Sequence, residues 1–223
     1  MSDILSYLKS RPYKFQSLTI SIIVWFLLFP FLDAQDFRQI ILNILTSAIV
    51  LFGILIASHT RMSVIISLIL GLPWFILTWI NLLISPLSLT LNLIAIVFII
   101  LFLAFTAIVI LLYILKSTEV SKDILYAAIS IYFLIGGTFS TIYIFLNTIE
   151  PGSIINNINS VVTTSDLLYF SYVTLTTLGY GEIIPVNAYA RSLAIIEAII
   201  GVMYIAIIIS RMVGLFISNA MKN

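Results

Sequence analysis

The stretch from Thr176 to Pro185 contains the residues whose types and spacing could do chemistry. Gly179 and Gly181 stand at alternate positions in it, and glycine adopts positive φ angles at little steric cost. If this stretch lies inside a membrane, irregular backbone of this kind persists only where it lines a protein-bounded or water-filled cavity. The stretch therefore predicts main-chain groups at the wall of a cavity.

The composition excludes most other chemistry. The 223 residues are 62% hydrophobic and 9% charged, a charged fraction too low for a water-soluble monomer. Ten Lys or Arg against nine Asp or Glu leave no charge surplus for binding nucleic acid. The absence of Cys excludes disulfides and thiolate catalysis, and the single histidine, His59, cannot build a zinc site alone. We therefore expect a lipid-embedded protein that is not an enzyme.

Six charge-poor intervals could each supply the roughly 20 apolar residues that a membrane-spanning helix needs. They are residues 15–32, residues 39–58, two intervals within 62–115 separated at Pro86, residues 124–149, and residues 192–210, which contain only Glu197. Short basic loops stay in the cytoplasm, so we placed most Lys and Arg residues inside. The inner side then holds Lys9, Arg11, Lys14, Arg61, Lys116, Lys122, Arg211 and Lys222, and the outer side holds Arg38 and Arg191. This predicts a multi-pass cell-membrane protein with both termini in the cytoplasm.

A shorter helix is predicted between the fifth and sixth spans, over residues 165–176. Ser165 is expected to cap it, with Asp166 in the first turn. Twelve residues rise only about 18 Å, so this helix can enter the membrane but cannot cross it. The chain must turn back immediately after it, at the two glycines.

The run Thr177-Leu178-Gly179-Tyr180-Gly181 after a half-length helix resembles the selectivity filter of the tetrameric potassium channel family, Thr-Val-Gly-Tyr-Gly, with leucine in place of valine. The likeness extends to the downstream Ile-Pro pair and the helix that follows. The resemblance implies a homotetramer in the lipid bilayer that conducts K⁺ passively along one axis.

Backbone oxygens explain why such a run suits K⁺. A ring of oxygens must replace the hydration shell, and four chains can offer the carbonyls of Thr177, Leu178, Gly179 and Tyr180, together with the Thr177 hydroxyl. Successive carbonyls can face one axis only if backbone handedness alternates. That requires positive φ angles, which Gly179 and Gly181 can adopt.

Residues around the filter are expected to support it. The Tyr180 ring should wedge against the pore-helix aromatics Tyr169 and Phe170. The pore helix directs its partially negative end, near Thr176, toward the cavity. Glu182 stands where the family commonly has aspartate, and Tyr169-Phe170 stands where it often has a tryptophan pair. These departures bear on filter stability more than on selectivity.

Glu197 and Gly201 lie four residues apart, on one face of the inner helix. An acid inside the membrane is a functional candidate, but we favour a hydrogen-bonded structural acid behind the filter, touching Thr174 or Ser171. Gly201 is either a gating hinge or a close-packing site. A possible apolar cavity lining continues down this helix through Val202, Ile205 and Ile209.

The fourth interval, residues 87–115, contains no arginine. Steep voltage gating needs several charges in each subunit, since one charge moved through 100 mV yields only about 2.3 kcal/mol. We therefore predict no arginine-driven voltage sensor. The 13 residues after Ser210 are too few for a soluble regulatory domain.

Together these features predict an all-α integral membrane protein with six transmembrane helices, a re-entrant pore helix and a filter loop. Residues 1–118 should form a four-helix domain that resembles a voltage sensor but is uncharged. Residues 119–223 should form the pore domain, with an outer helix over 123–148, the pore helix, the filter at 177–181 and an inner helix over 188–219. The alternatives are a non-conducting or weakly selective cation-channel subunit, a scaffold, and a potassium transporter. A transporter would carry several pore repeats, whereas this chain has one Gly-Tyr-Gly.

Overall fold

The computed structural model describes residues 14–29, 38–57, 60–84, 86–158 and 161–220. The predictions for Lys9, Arg11, His59 and Lys222 fall outside these ranges. Within them lie seven helices and two short strands: α1 (Lys14–Leu28), α2 (Arg38–Ile56), α3 (Arg61–Leu83), α4 (Leu89–Lys116), α5 (Lys122–Ile149), β1 (Ile154–Asn156), α6 (Thr164–Leu175), β2 (Ile183–Pro185) and α7 (Ala188–Ala220).

Five helices of the described ranges are long and apolar enough to cross a membrane, namely α2, α3, α4, α5 and α7. The first helix is apolar over Phe15–Leu28, which is shorter than the roughly 20 residues of a full span. The sequence predicts that this span continues to residue 32, but residues 30–37 are outside the described ranges. The structure therefore supports a helical multi-pass membrane protein, and the sixth span stays a prediction.

The predicted break at Pro86 is present. Helix α3 ends at Leu83, and α4 begins at Leu89. The Asn81 side chain stabilises the connection, because its Oδ1 accepts a hydrogen bond of 2.8 Å from the backbone N–H of Leu87. The Asn81 side chain thus supplies a hydrogen-bond acceptor for the Leu87 N–H group, which lies between the two helices and so outside their own backbone hydrogen bonding.

The described residues divide into two compact units, and the first contains α1 to α4 and residues 121–131 at the start of α5. Small residues let its helices approach closely. A Cβ atom on Gly53 would lie 2.8 Å from the Phe102 ring, and one on Gly71 would lie 3.2 Å from the same ring. Thr19 on α1 shares a hydrogen bond of 2.7 Å with Ser130 on α5.

The second unit contains residues 117–120 and the chain from residue 132 onward. Here β1 and β2 pair antiparallel, with Ile154 opposite Pro185 and Asn156 opposite Ile183. The all-α prediction did not include this pairing. It ties the chain that precedes α6, the predicted pore helix, to the chain that follows residues 177–181, the predicted filter, so both ends of this segment are fixed. The unit's core contains Phe139, Tyr143, Ile154, Leu167, Phe170, Ile183 and Ala190.

Candidate functional site

The pore helix α6 begins with a capping box. The Thr163 hydroxyl accepts a bond from the Asp166 backbone N–H at 3.2 Å, and the Thr163 backbone N–H donates to the Asp166 carboxylate at 2.8 Å. The prediction of Ser165 as the cap was therefore wrong by two residues. Thr163 stands three residues before Asp166, the spacing at which the two side chains satisfy each other's backbone N–H groups.

The C-terminal end of α6 holds the first residues of the filter. Thr176 caps the helix, and its hydroxyl donates to the Tyr172 carbonyl at 2.6 Å. The backbone N–H groups of Leu178 and Gly179 both donate to the Val173 carbonyl, at 2.9 Å and 3.3 Å. The start of the filter is thus a hydrogen-bonded extension of the last turn of the pore helix, and it must follow any movement of that helix.

Backbone handedness alternates along the filter. Thr177, Gly179 and Gly181 have φ angles of 60°, 56° and 91°, whereas Leu178 and Tyr180 keep negative φ. The two glycines adopt the positive φ angles that the sequence predicts. Thr177 was not predicted to do so, since a left-handed conformation costs a residue other than glycine about 1–2 kcal/mol. Thr177 is therefore a third residue with positive φ, in addition to the two glycines.

The filter is open to its surroundings in the single chain. Among the described residues, no atom lies within 4 Å of a Cβ atom built on Gly179 or Gly181, beyond their chain neighbours. The Tyr180 ring is 68% exposed, so the predicted wedge against the pore-helix aromatics does not form within one chain. Phe170 is buried instead against Tyr143, with the ring centroids 5.0 Å apart in an edge-on arrangement.

Glu182 and Tyr169 meet just beyond the filter. A hydrogen bond to the Glu182 carboxylate raises the pKa of Tyr169 to about 12. The backbone of Glu182 is also fixed, because its carbonyl accepts a bond of 2.8 Å from the Asn157 N–H. Glu182 therefore connects the end of the filter to the pore helix and to the residue after β1. Asn157 had no signal in the sequence, since its role depends on the pairing of β1 with β2.

Glu197 is fully buried on α7, and its carboxyl group contacts two other helices. Oε2 accepts a hydrogen bond of 2.7 Å from the Tyr143 hydroxyl on α5, and Oε1 lies 2.5 Å from the Ser171 hydroxyl on α6. Of the two contacts considered from the sequence, the one to Ser171 is present. Tyr143 was missed, because it lies 54 residues away and no local spacing connects it to Glu197.

Gly201 lies one turn below Glu197, where α7 touches the end of the pore helix. A Cβ atom at this position would lie 2.2 Å from the Leu175 carbonyl oxygen. Of the two roles considered for Gly201, this contact supports close packing, and α7 runs unbroken through the position. The predicted cavity residues Val202, Ile205 and Ile209 are exposed in the single chain.

Comparison with known proteins finds a match in the second half of the chain. Residues 124–218 match a family model described as an ion channel. The matched segment runs from the first turn of α5 to near the end of α7, and it includes the pore helix and the filter. No curated protein and no solved structure matches the chain significantly. Over this segment the chain is similar to ion channels, in agreement with the helical membrane architecture.

Proposed function

We propose that four copies of this chain form a potassium-selective channel, with the carbonyl oxygens of residues 177–180 and the Thr177 hydroxyl as ion ligands. The observation that carries the proposal is the alternation of φ over residues 177–181, at the end of a helix too short to cross the membrane. Alternating handedness lets successive carbonyl groups line one side of an extended chain. The ion-channel match over the same residues agrees with this assignment.

The exposure of the filter supports assembly around a shared axis. One chain can offer oxygens from one side only, and a desolvated K⁺ ion must be surrounded. Leu178 and Tyr180 are exposed in the single chain, as are the apolar residues predicted to line the cavity. Packing of identical chains around a closed rotation axis would bury these surfaces and complete the ring.

Gating by an arginine-bearing voltage sensor is not part of the proposal. Helix α4 contains a single basic residue, Lys116, which is also its last residue. A conductance–voltage curve should therefore lack the steep sigmoidal rise that several moving charges per subunit produce. A steep rise would contradict this part of the proposal.

Reconstitution of the purified chain into planar bilayers tests the main proposal. Under opposed K⁺ and Na⁺ gradients we expect unitary currents that reverse near the K⁺ equilibrium potential and are blocked by Ba²⁺. Currents that reverse midway would indicate a weakly selective cation channel. Transport without unitary currents would indicate a transporter, and the absence of both would indicate a scaffold.

A further inference from the structure

The buried carboxyl group of Glu197 joins the three helices of the pore unit. It lies on α7 and contacts Tyr143 on α5 and Ser171 on α6. The Ser171 hydroxyl has a further contact, at 2.8 Å, with the carbonyl oxygen of Gly136 on α5. These four groups form a closed polar cluster among apolar helices, which we call the Glu197 cluster.

The number of hydrogens available defines the protonation state of the cluster. A serine hydroxyl carries one hydrogen, and a carbonyl oxygen can only accept. If Ser171 donates to Gly136, then the 2.5 Å contact between Ser171 Oγ and Glu197 Oε1 needs a hydrogen from the carboxyl group. The single hydroxyl hydrogen of Tyr143 is already donated to Glu197 Oε2. One proton on Oε1 completes every bond of the cluster.

The surroundings offer no positive charge to stabilise an ionised carboxylate. Residues 124–149, 167–181 and 192–210 contain no Lys, Arg or His. Among the described residues, the titratable groups that interact with Glu197 are tyrosines: Tyr132 and Tyr143 on α5, and Tyr172 on α6. Arg191 is six residues away, about 9 Å along the helix axis. An unpaired charge buried in this position is costly, whereas a neutral acid with all its bonds made is not.

We propose that Glu197 is a positioning residue that acts as a neutral carboxylic acid. Its Oε1–H group donates to Ser171, its Oε2 accepts from Tyr143, and the cluster fastens the pore helix to the outer and inner helices. Loss of the proton at alkaline pH removes the donor and leaves a negative charge between the helices, so the pore helix is released.

The pore helix transmits this change to the filter. Ser171 lies two residues before Val173, whose carbonyl holds the backbone of Leu178 and Gly179. One helical turn farther along the contact between α6 and α7, Leu175 packs against Gly201 on α7. Release of the Glu197 cluster therefore loosens the part of α6 on which the filter depends. The expected effect on conduction rests on the proposed function, whereas the protonation state does not.

Infrared difference spectroscopy on the purified full chain tests the protonation state without any current. We expect a protonated-carboxyl band at neutral pH that is lost in Glu197→Gln and kept in the control Glu119→Gln, which removes an exposed carboxylate of the α4–α5 connection. If Glu197→Gln removes a carboxylate band and leaves the protonated-carboxyl region unchanged, the proposal is wrong.

Bilayer recordings over a range of alkaline pH test the positioning role. Glutamine matches the neutral acid, since its NH₂ group can donate to Ser171 and its carbonyl can accept from Tyr143. We expect the wild-type K⁺ current to fall reversibly as pH rises, and Glu197→Gln to carry a similar current that no longer falls. Ser171→Ala should lower the current about tenfold, because it leaves the Glu197 donor unpaired.

Two results would overturn the positioning role: a loss of current in Glu197→Gln at neutral pH, or a wild-type current that is insensitive to alkali in the range where the infrared band disappears. A wild-type chain that carries no current would refute the proposed function, while the infrared result would still decide the protonation state.

Discussion

Gly181 and Gly152 have nearly the same φ angle, 91° and 88°. In the part of the chain that the structure describes, neither has an atom within 4 Å of a built Cβ, apart from chain neighbours. Alanine at either position therefore introduces backbone strain without a clash against these residues. That strain is about 1–2 kcal/mol for an L-residue. The two positions differ in that Gly181 belongs to the proposed filter and Gly152 to the turn after α5.

We expect Gly181→Ala to abolish K⁺ selectivity and Gly152→Ala to preserve it. Both variants should lose stability, since each places an alanine at a positive φ angle. Reversal potentials under opposed K⁺ and Na⁺ gradients measure selectivity, and thermal unfolding in detergent measures stability. A selective Gly181→Ala channel would mean that residues 177–181 do not form the filter.

The Tyr169–Glu182 contact predicts a titration at the outer end of the filter. The phenol donates to the carboxylate, and ionisation would both break this bond and place two negative charges together, so the pKa of Tyr169 rises to about 12. The hydrogen bond is therefore complete at neutral pH and is lost as pH rises through that value. In Glu182→Gln the pKa of Tyr169 should fall toward about 10, the ordinary value for tyrosine.

Ultraviolet difference titration measures this shift. The chain has 11 tyrosines, so the signal of Tyr169 is obtained by subtracting the spectrum of Tyr169→Phe. A Tyr169 signal that titrates near the ordinary tyrosine value in the wild type would show that the phenol and the carboxylate are not in contact in the assembled protein.

Single residues were predictable where their function depends on local backbone geometry. The positive φ angles of Gly179 and Gly181 follow from the residue type. For Glu197 the sequence predicted a contact with either Thr174 or Ser171, and the structure has the one with Ser171. Thr177 was not predictable in the same way, because its left-handed conformation is imposed by the bonds that join the filter to the last turn of α6.

At the scale of elements, the packing of α7 against α6 depends on two contacts spaced by one helical turn on each helix. Glu197 meets Ser171, and Gly201 meets Leu175. Alanine for glycine in a helix interior normally stabilises the helix by up to about 1 kcal/mol. At Gly201 the new methyl carbon would lie 2.2 Å from a carbonyl oxygen, so the helices must separate.

We therefore expect Gly201→Ala to destabilise the protein by about 1–3 kcal/mol, the usual cost of overpacking, and to lower its thermal unfolding midpoint. Gly214→Ala is the matched control, since Gly214 lies on the same helix and no atom of the described residues lies within 4 Å of its built Cβ. An unchanged midpoint in Gly201→Ala would show that α7 does not touch the pore helix at this position.

The helices were predictable because long charge-free intervals define them, and the half-length α6 was predictable because its length excludes a crossing. The β1–β2 pairing was not, since each strand has only three residues and its partner lies across the pore helix and the filter. No periodic pattern arises in so short a strand, and the pairing depends on the path of the chain between them.

At the scale of the whole molecule, the proposed channel has one pore that four chains share. Co-expression of equal amounts of wild-type chain and a Gly179→Ala chain tests it. Gly179 has a φ angle of 56°, so alanine strains the filter of each chain that carries it. If one altered chain disables a pore, only channels made of four wild-type chains conduct. Random mixing then leaves about one sixteenth of the total current that the same number of wild-type pores would carry.

The size of the remaining current distinguishes the assemblies. A pore within one chain would keep about half of the current, and a pore shared by two chains would keep about one quarter. Different affinity tags on the two chains show whether they enter the same complexes, which is the control for random mixing. Since a single chain leaves Leu178 and Tyr180 exposed, we expect the one-sixteenth result. A remaining current of one half, with the chains shown to mix, would mean that one chain lines each conducting path by itself.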